Sequence, residues 1–558
     1  MRNPVFHAFA ATSVVLAMVA GLPAAEPAPR LQQAEAAIAR HSKGDPKVQL
    51  IAATLLGGSG NEWLAGGGVA ADGSVLVAGC TATIPDTIGG QVPVVFGTDG
   101  KAPKAITNAM EAHGTPFVAK LSADGSKVLK VARLPVGSGT ITSAVVTPDG
   151  GICLVGLAGV NVQTVPELVD ALPKADGEKA DEDDSRQAVL IVKLSADLDR
   201  ILWSRRANVS TRGPVVRLVG DDIDVRTRPA LRLAQDGSLK TTWIVSLGQG
   251  HTWMTWEDPI ARRHWVARNS AFGADWSTGN ADWLRISGKD DGKTWTMLYC
   301  WGGAARSTDA MWPTDLSAIF DVGGDPQGKV WVVAQVDGPD SIMNRVPYDL
   351  RTRTGLTGLG LPITGVEIDR VQMHAGIRTT KNKHSPEHAT NMIFRQWMPV
   401  AWLGRINPDT CQMEAATAWC GFDGETGLPR FTTIDRVAAD QDTVVITGNC
   451  EDGNLPVTQG SLGKLKKRGN FLAIFNGALD QVRYATVLPG VAATLIRDIS
   501  DMRNTRSALS ISRMPDGRQM VLMVGGADRP AVTTPGCAQP TFAGGASDGY
   551  LTLLEVKP

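Results

Sequence analysis

Tryptophan and arginine crowd one stretch of this chain. Trp253, Trp256, Trp265 and Trp276 fall within residues 249–281, with Arg262 and Arg263 among them. Indole rings stack on sugar rings and other planar groups, and guanidinium groups make charge-assisted hydrogen bonds to acids. These residues are the candidate ligand-binding set, and an anionic polysaccharide is the ligand class that suits the mixture. The competing explanation is that the rings pack on one another, since large aromatics mostly serve as packing residues.

Other chemistry is weaker. The run His384-Ser385-Pro386-Glu387-His388 matches the zinc-peptidase pattern H-x-x-E-H. That chemistry needs both histidines one turn apart on a continuous helix. Pro386 favours a helix start with Ser385 as its cap, which leaves His384 outside. The acidic run 176–184 (DGEKADEDD) offers oxygen ligands, but Lys179 interrupts it and its spacing is not that of a calcium loop. It reads as a solvated loop. No nucleophile elbow, phosphate loop or dinucleotide fingerprint occurs in a fitting context. Neither a catalytic residue, a metal nor a cofactor is expected.

The elements that must position a site are legible in residues 55–81, LLGGSGNEWLAGGGVAADGSVLVAGCT. Val75, Val77 and Gly79 take one side and Leu76 and Ala78 the other, the period of two that a strand needs. Asp72-Gly73 separates two such runs, and Gly tolerates the positive φ of a tight turn, so a β-hairpin is predicted. The pattern returns. Residues 116–134 turn at Asp124-Gly125, 141–157 at Asp149-Gly150, 229–248 at Asp236-Gly237 and 282–300 at Asp291-Gly292. Residues 188–206 repeat the Lys-Leu-Ser-Ala-Asp run of 120–124. Further hairpins are read at 316–335, 398–420, 432–448, 471–488 and 506–524, before a last strand at 550–556.

Repetition on this scale means stacked supersecondary units. Two hairpins give four antiparallel strands, A to D from the centre outward, which is the blade of an all-β propeller. Six A–B hairpins but five C–D hairpins leave the last blade one strand short, and strand 48–55 has no partner. The deficits cancel if 48–55 pairs with 550–556, closing the ring and removing two open edges. The expectation is a six-bladed propeller spanning 48–558. Seven blades are the alternative, because 264–278 also looks like a C–D hairpin. The stretches GGSGNEWLAGGGVAADGSVLVAGCT, FVAKLSADGSKV and TTPGCAQPTFAGGASDGYLTLLEV resemble the SBBP repeat of secreted bacterial proteins. That resemblance implies a β-propeller and a secreted protein.

In such blades the A–B and C–D turns share one face and the B–C connections the other. The B–C connections read as long throughout: 81–115, 158–187, 249–281, 336–397, 451–470 and 525–549. Long loops on a rigid scaffold commonly carry function, so this face is the expected working face.

Arg2, the apolar run 5–20 and the small residues Gly21, Ala24 and Ala25 form a signal-peptide pattern over 1–25. A secreted, periplasmic or cell-surface address follows, with a polar, Ala-rich lead over 26–47. The net charge of -1 gives no hint of nucleic acid, and no later run could span a membrane. Seven cysteines in a secreted chain suggest disulfides. Cys411 and Cys420 would sit at opposite ends of one strand, about 30 Å apart, too far to bond. Cys420–Cys450 and Cys80–Cys537, each at strand ends on the long-loop face, are the candidate pairs; Cys153 reads as a buried core residue. The functional expectation is a non-catalytic propeller binding a polysaccharide or extracellular protein. The alternative is an extracellular hydrolase or lyase using loop acids, His251, His264, His374 or arginines. The chain's 8 His and 4 Tyr favour the first.

Overall fold

The structure, a computed structural model, describes residues 27–81, 91–93, 95–96, 115–134, 139–159, 187–207, 214–227, 230–243, 253–257, 264–268, 282–287, 295–301, 318–336, 345–346, 349–353, 400–407, 412–425, 427, 429–430, 432–450, 454–463, 469–491 and 508–558. The chain is a β-propeller of four-stranded antiparallel sheets. Blade I comprises Glu62–Val69, Val75–Thr81, Thr115–Leu121 and Val128–Arg133. Blade II comprises Gly139–Val146, Ile152–Gly159, Gln187–Leu194 and Arg200–Ala207. Blade III comprises Val215–Val219, Asp222–Arg226, Ala230–Leu233 and Leu239–Trp243. Blade IV comprises Ala318–Gly324, Val330–Val336, Val400–Asn407 and Gln412–Trp419. Blade V comprises Thr432–Asp440, Thr443–Cys450, Gly469–Asn476 and Val482–Leu488. Blade VI takes Ala508–Arg513, Gln519–Ala527 and Asp548–Val556 from the C-terminal end and Val48–Leu56 from the N-terminal end.

That last blade closes the ring as expected. Val48–Leu56 runs antiparallel to Asp548–Val556, in register from Val48 opposite Val556 to Leu56 opposite Gly549. The inner strands then form a closed series of six contacts. Gly66 of blade I lies so close to blade II that a Cβ would come within 2.3 Å of the Ala144 backbone nitrogen. From blade II, Thr142 Oγ1 donates to the Pro214 carbonyl at 2.5 Å. From blade III, Arg217 Nη1 donates to the Val322 carbonyl of blade IV at 3.1 Å. Asp321 Oδ2 of blade IV accepts from the Val437 N–H of blade V at 3.1 Å. Arg513 pairs with Asp440 at 2.8 Å, joining blades V and VI. The Val69 N–H donates to Ser512 Oγ at 3.0 Å, returning to blade I.

The expected third blade differs. Its two hairpins, read as partners, are the outer pairs of two separate sheets. Blade III supplies its own inner pair, and 282–300 belongs to a further sheet of Trp253–Glu257, His264–Arg268, Asp282–Ser287 and Trp295–Trp301. The ring has the six blades expected, and this extra four-stranded sheet, described by its backbone, falls in sequence between blades III and IV. The inner pair of blade III escapes the repeat pattern because its strands are short and studded with charge, as in Asp222-Ile-Asp-Val-Arg226.

The strand alternation explains the packing. Val75 and Val77 lie in the core shared with blade VI, whereas Leu76, Ala78 and Cys80 lie in the core shared with blade II. Both faces of an inner blade strand are thus apolar, and each interface between neighbouring blades is a hydrophobic layer. The turn glycines Gly73, Gly125, Gly150, Gly237, Gly328 and Gly517 all have positive φ. The preceding aspartates contribute too: Asp72 Oδ1 accepts from the Ser74 N–H at 2.9 Å and Asp236 Oδ1 from the Ser238 N–H at 2.8 Å.

The lead segment is a helix over Pro27–His41, whose Ala34 and Ala37 are buried in the core between blades IV and V. Asp45 just beyond it pairs with Arg483 at 2.9 Å. No helix among the described residues is long and apolar enough to cross a membrane.

The candidate disulfides are not formed. Among the described cysteines Cys80, Cys153, Cys420, Cys450 and Cys537, none is joined in a disulfide. Cys80 is buried, where its sulfur accepts from the Ile141 N–H at 3.2 Å, while Cys537 is half-buried. Strand ends sharing a face is a weaker condition than the close Cα approach a disulfide requires. Cys153 is fully buried, as expected. Cys411, the segment 1–25, His384–His388 and the acidic run 176–184 lie outside the described residues.

Candidate functional site

Alternation places charge inside the ring at one sector. On three adjoining strands of blade III, Arg217 stands opposite Asp224, and Asp224 opposite Arg232. Asp224 is buried, and Arg232 Nη2 lies 3.6 Å from its Oδ1. Arg217 reaches on into blade IV, where its Nη2 lies 3.3 Å from Asp321 Oδ1. Asp321 therefore bridges three blades, since its second oxygen takes the Val437 N–H.

Blade V adds the next pair. The register of its inner strand slips between Ile434 and Arg436, a β-bulge that leaves Asp435 as the extra residue. Asp435 is buried, and its Oδ2 accepts from Asn449 Nδ2 at 2.9 Å. Arg436 Nη1 donates to the Asp435 carbonyl at 2.8 Å. Equivalent slips occur in blade I between Leu64 and Gly66 and in blade II between Ile141 and Ser143. There the inner strands meet through Gly66, Ala144, Thr142 and Ser143, without charge.

The electrostatics of this sector follow from burial. Burial pushes the Asp224 carboxyl up to about 6, against the pull of Arg232, Arg226 and Arg217. It pushes Asp435 up to about 7, against Arg436 and its hydrogen bonds. Arg226 is lowered to about 9, chiefly by burial and then by the like charge of Arg217. Arg217, Arg226 and Arg436 are half-buried, while Asp224, Asp321 and Asp435 are buried. The arrangement is one of guanidinium groups interleaved with buried carboxylates, Arg217 with Asp321 and Arg232 with Asp224, and burial leaves the Asp224 and Asp435 carboxyls raised towards neutral pH. Among the described residues no group of three or more His, Cys, Asp or Glu could hold a metal.

A second set of buried acids marks the ring closure. Glu62 takes the Gly58 N–H at 3.0 Å and the Thr81 hydroxyl at 2.7 Å. Asp548 Oδ2 takes the Ala543 N–H at 2.7 Å and Gln539 Nε2 at 3.2 Å. Burial, and then the neighbouring Glu62, raise Asp548 to about 6. These contacts tie the last B–C connection to the seam. Gln539 Oε1 accepts from the Gly57 N–H at 2.9 Å, and the Thr534 N–H donates to the Ala53 carbonyl at 2.9 Å. In blade V the Thr458 N–H likewise bonds the Ala485 carbonyl of the outer strand at 3.0 Å. Gln91–Pro93 and Val95–Phe96 pair with the outer strands of blades I and II. Described parts of the long connections thus cover outer edges, a protection that exposed strands require.

The tryptophan set is placed differently from the sequence expectation. Residues 249–281 are not one loop: Trp253 and Trp256 lie on one strand and Trp265 on the next, in the extra sheet. Trp256 is directly opposite Trp265, and Trp253 opposite Arg268. Residues opposite in register share a sheet face, so the backbone brings these rings' positions together. Trp276, Arg262 and Arg263 lie outside the described residues. Arg262 and Arg263 fall between the first two strands of that sheet, whereas Trp276 falls between its second and third. Elsewhere, among the described residues, Trp331, Trp402 and Trp419 are fully buried packing residues, with Trp419 edge-on to Phe475 at 5.3 Å.

The charged sector was missed at the sequence level. Its signal was period-two charge on short strands, Arg217, Asp222, Asp224, Arg226 and Arg232, which reads as solvent-facing unless both sheet faces are known to be covered.

No known protein family matches the chain, and no curated protein matches it. Among solved structures it is similar to an ulvan lyase of a polysaccharide lyase family, at 9% identity and a TM-score of 0.36, covering 87% of this chain and 97% of that one. It is similar to the polysaccharide lyase Uly1, at 9% identity and a TM-score of 0.38, covering 80% of this chain and 86% of that one. It is also similar to Sqt1 from Chaetomium thermophilum, at 8% identity and a TM-score of 0.36, covering 85% and 97%.

Proposed function

We propose that this protein works outside the cytoplasm as a non-catalytic β-propeller that binds a ligand through the face bearing its long connections, with an anionic polysaccharide as the ligand class. The observation that carries this reading is an asymmetry of the fold. The B–C connections of blades I, II, IV, V and VI span 82–114, 160–186, 337–399, 451–468 and 528–547, against tight turns such as 70–74 and 514–518 at the opposite end. Segments kept long at one end of a rigid ring are placed to contact a partner. The signal-peptide pattern of 1–25 supports the address, and Trp253, Trp256, Trp265 and Trp276, with Arg262 and Arg263, are further stacking and charged groups of this reading, carried by the extra sheet and its connections rather than by those long loops.

The test is binding of the secreted protein to a panel of neutral and anionic polysaccharides, with released oligosaccharide measured in the same samples. Saturable binding to anionic members without product, weakened by Trp253→Ala or Trp256→Ala at unchanged melting temperature, is the expected result. Product release would support the alternative of a hydrolase or lyase. Binding to no member, with a single extracellular protein captured instead, would replace the polysaccharide by a protein partner.

A further inference from the structure

We propose that Asp548 and Glu62 hold a calcium ion at the seam where the two ends of the chain close the ring. This inference is independent of the polysaccharide reading, because it concerns the junction of blades VI and I and not a ligand of the long connections.

The closing strands bring the two carboxylates to one place. Asp548 opens the last strand, Asp548–Val556, and Glu62 opens the first strand of blade I. The Glu62 N–H donates to the Ser547 carbonyl at 2.7 Å, and the Ser547 hydroxyl donates to the Glu62 carbonyl at 2.9 Å. Residue 62 therefore lies against the residue that precedes Asp548. Both side chains reach the same dipeptide, Gly57-Gly58. Glu62 Oε2 takes the Gly58 N–H at 3.0 Å, while Asp548 Oδ1 occupies the side-chain position of Gly57, where a Cβ would come within 2.5 Å of it.

The state of Asp548 Oδ1 points to a ligand. Asp548 is fully buried. Its Oδ2 accepts from the Ala543 N–H at 2.7 Å and from Gln539 Nε2 at 3.2 Å, but its Oδ1 has no hydrogen-bond partner. Among the described residues no lysine or arginine pairs with Asp548, and the charge that acts on it, that of Glu62, has the same sign. A buried carboxylate oxygen without donor or counter-ion is costly, and a bound cation removes the cost. The raised Asp548 carboxyl, at about 6 from burial and then Glu62, agrees with that unbalanced charge.

The donors fit calcium, a hard cation that takes six to eight oxygens from carboxylates, backbone carbonyls and water. Two carboxylates fall short of a three-acid cluster, so carbonyls and water complete this shell. Backbone oxygen is at hand, because the 57–61 and 541–546 segments touch: a Cβ on Gly545 would come within 1.7 Å of the Gly60 carbonyl oxygen. Ser59, Asn61, Ala543, Gly545 and Ala546 are exposed, so the pair lies just beneath the surface and an ion has a short path to it.

The experiment uses the full chain, stripped with EDTA and dialysed at pH 7.5, where both carboxylates are ionised. Calcium chloride is titrated against sodium chloride at matched ionic strength, and the heat of binding and melting temperature are read. Wild type should show saturable binding and a rise in melting temperature that sodium does not give and EDTA reverses. Asp548→Asn and Glu62→Gln should each weaken the apparent Kd at least about tenfold. Asp516→Asn, on an exposed turn, should leave it unchanged. Hydrogen exchange of wild type locates the ion should a seam variant fail to fold: calcium should slow amides of 57–62 and 541–549 and leave Val400–Asn407 of blade IV unaffected. No calcium response in wild type, protection confined to other segments, or an unchanged Kd in either seam variant would each overturn the proposal. A melting temperature that varies with pH about 6 but not with calcium would show that the pair holds a proton only, and would overturn it too. Loss of polysaccharide binding with the calcium response intact would overturn only the functional reading above.

Discussion

Asp321→Ala cuts the ring at a residue that joins three blades. In the native protein Oδ1 faces Arg217 at 3.3 Å and Oδ2 takes the Val437 N–H at 3.1 Å, so one truncation strips partners from two neighbouring blades. Removing one member of a buried ion pair costs about 3–5 kcal/mol, because the remaining charge is uncompensated. The Arg217 side chain is 18% exposed, so water recovers part of that cost. The stranded Val437 N–H adds about 1–3 kcal/mol. A net loss of about 3–5 kcal/mol is expected from these two costs after that recovery. Asp321→Asn keeps an acceptor for Val437 and should lose roughly half as much. Urea unfolding followed by circular dichroism at pH 7.5 measures both, and the midpoint should fall with the slope unchanged. A loss below about 0.5 kcal/mol for the alanine variant, the size of a surface substitution, would refute the bridging role.

Gly66→Ala should destabilise by about 1–3 kcal/mol or more by overpacking, since its Cβ would sit 2.3 Å from a backbone atom that cannot rotate aside; thermal melts check this. Asp435 gives a pH dependence of definite sign. Its folded value, about 7, is above the unfolded 3.8, so the folded state binds more protons between them, and the stability present below pH 3.8 is lost as pH rises towards 7. Asp435→Asn should flatten that segment of the stability–pH curve, and a curve unchanged by the substitution would contradict it. Burial holds the Cys80 and Cys153 thiols at about 12, so a thiol reagent should label half-buried Cys537 in the native protein and those two only on unfolding.

Much of the fold could be read from local chemistry. Asp-Gly turns such as 72–73 and 516–517 and the alternation of Val75 to Ala78 are imposed by the backbone and by burial on both faces, so they survive in sequence. The partnership of Val48–Leu56 with Asp548–Val556 was also recoverable, because a strand count exposes a missing partner. The Val215–Arg226 hairpin was not. Its charges satisfy one another inside the ring, and a pattern that ordinarily marks a solvated face marks here a buried one. The extra sheet failed for a related reason: Trp253–Glu257 and His264–Arg268 are strands without an Asp-Gly turn between them, so they resembled a loop. The disulfide expectation failed because face and strand-end position do not fix distance between blades.

The closed ring is tested most directly by hydrogen exchange on the chain ending at residue 547. In the full-length protein the amides of Val48–Leu56 should be protected together with those of Asp548–Val556, since each strand's partner is the other. In the truncated chain, protection should fall in Val48–Leu56 and in Gln519–Ala527, which loses its outer neighbour, and unfolding should lose cooperativity as edges open. Unchanged protection of Val48–Leu56 after truncation would show that the N-terminal strand is held elsewhere, and would contradict a ring sealed by the two ends of the chain.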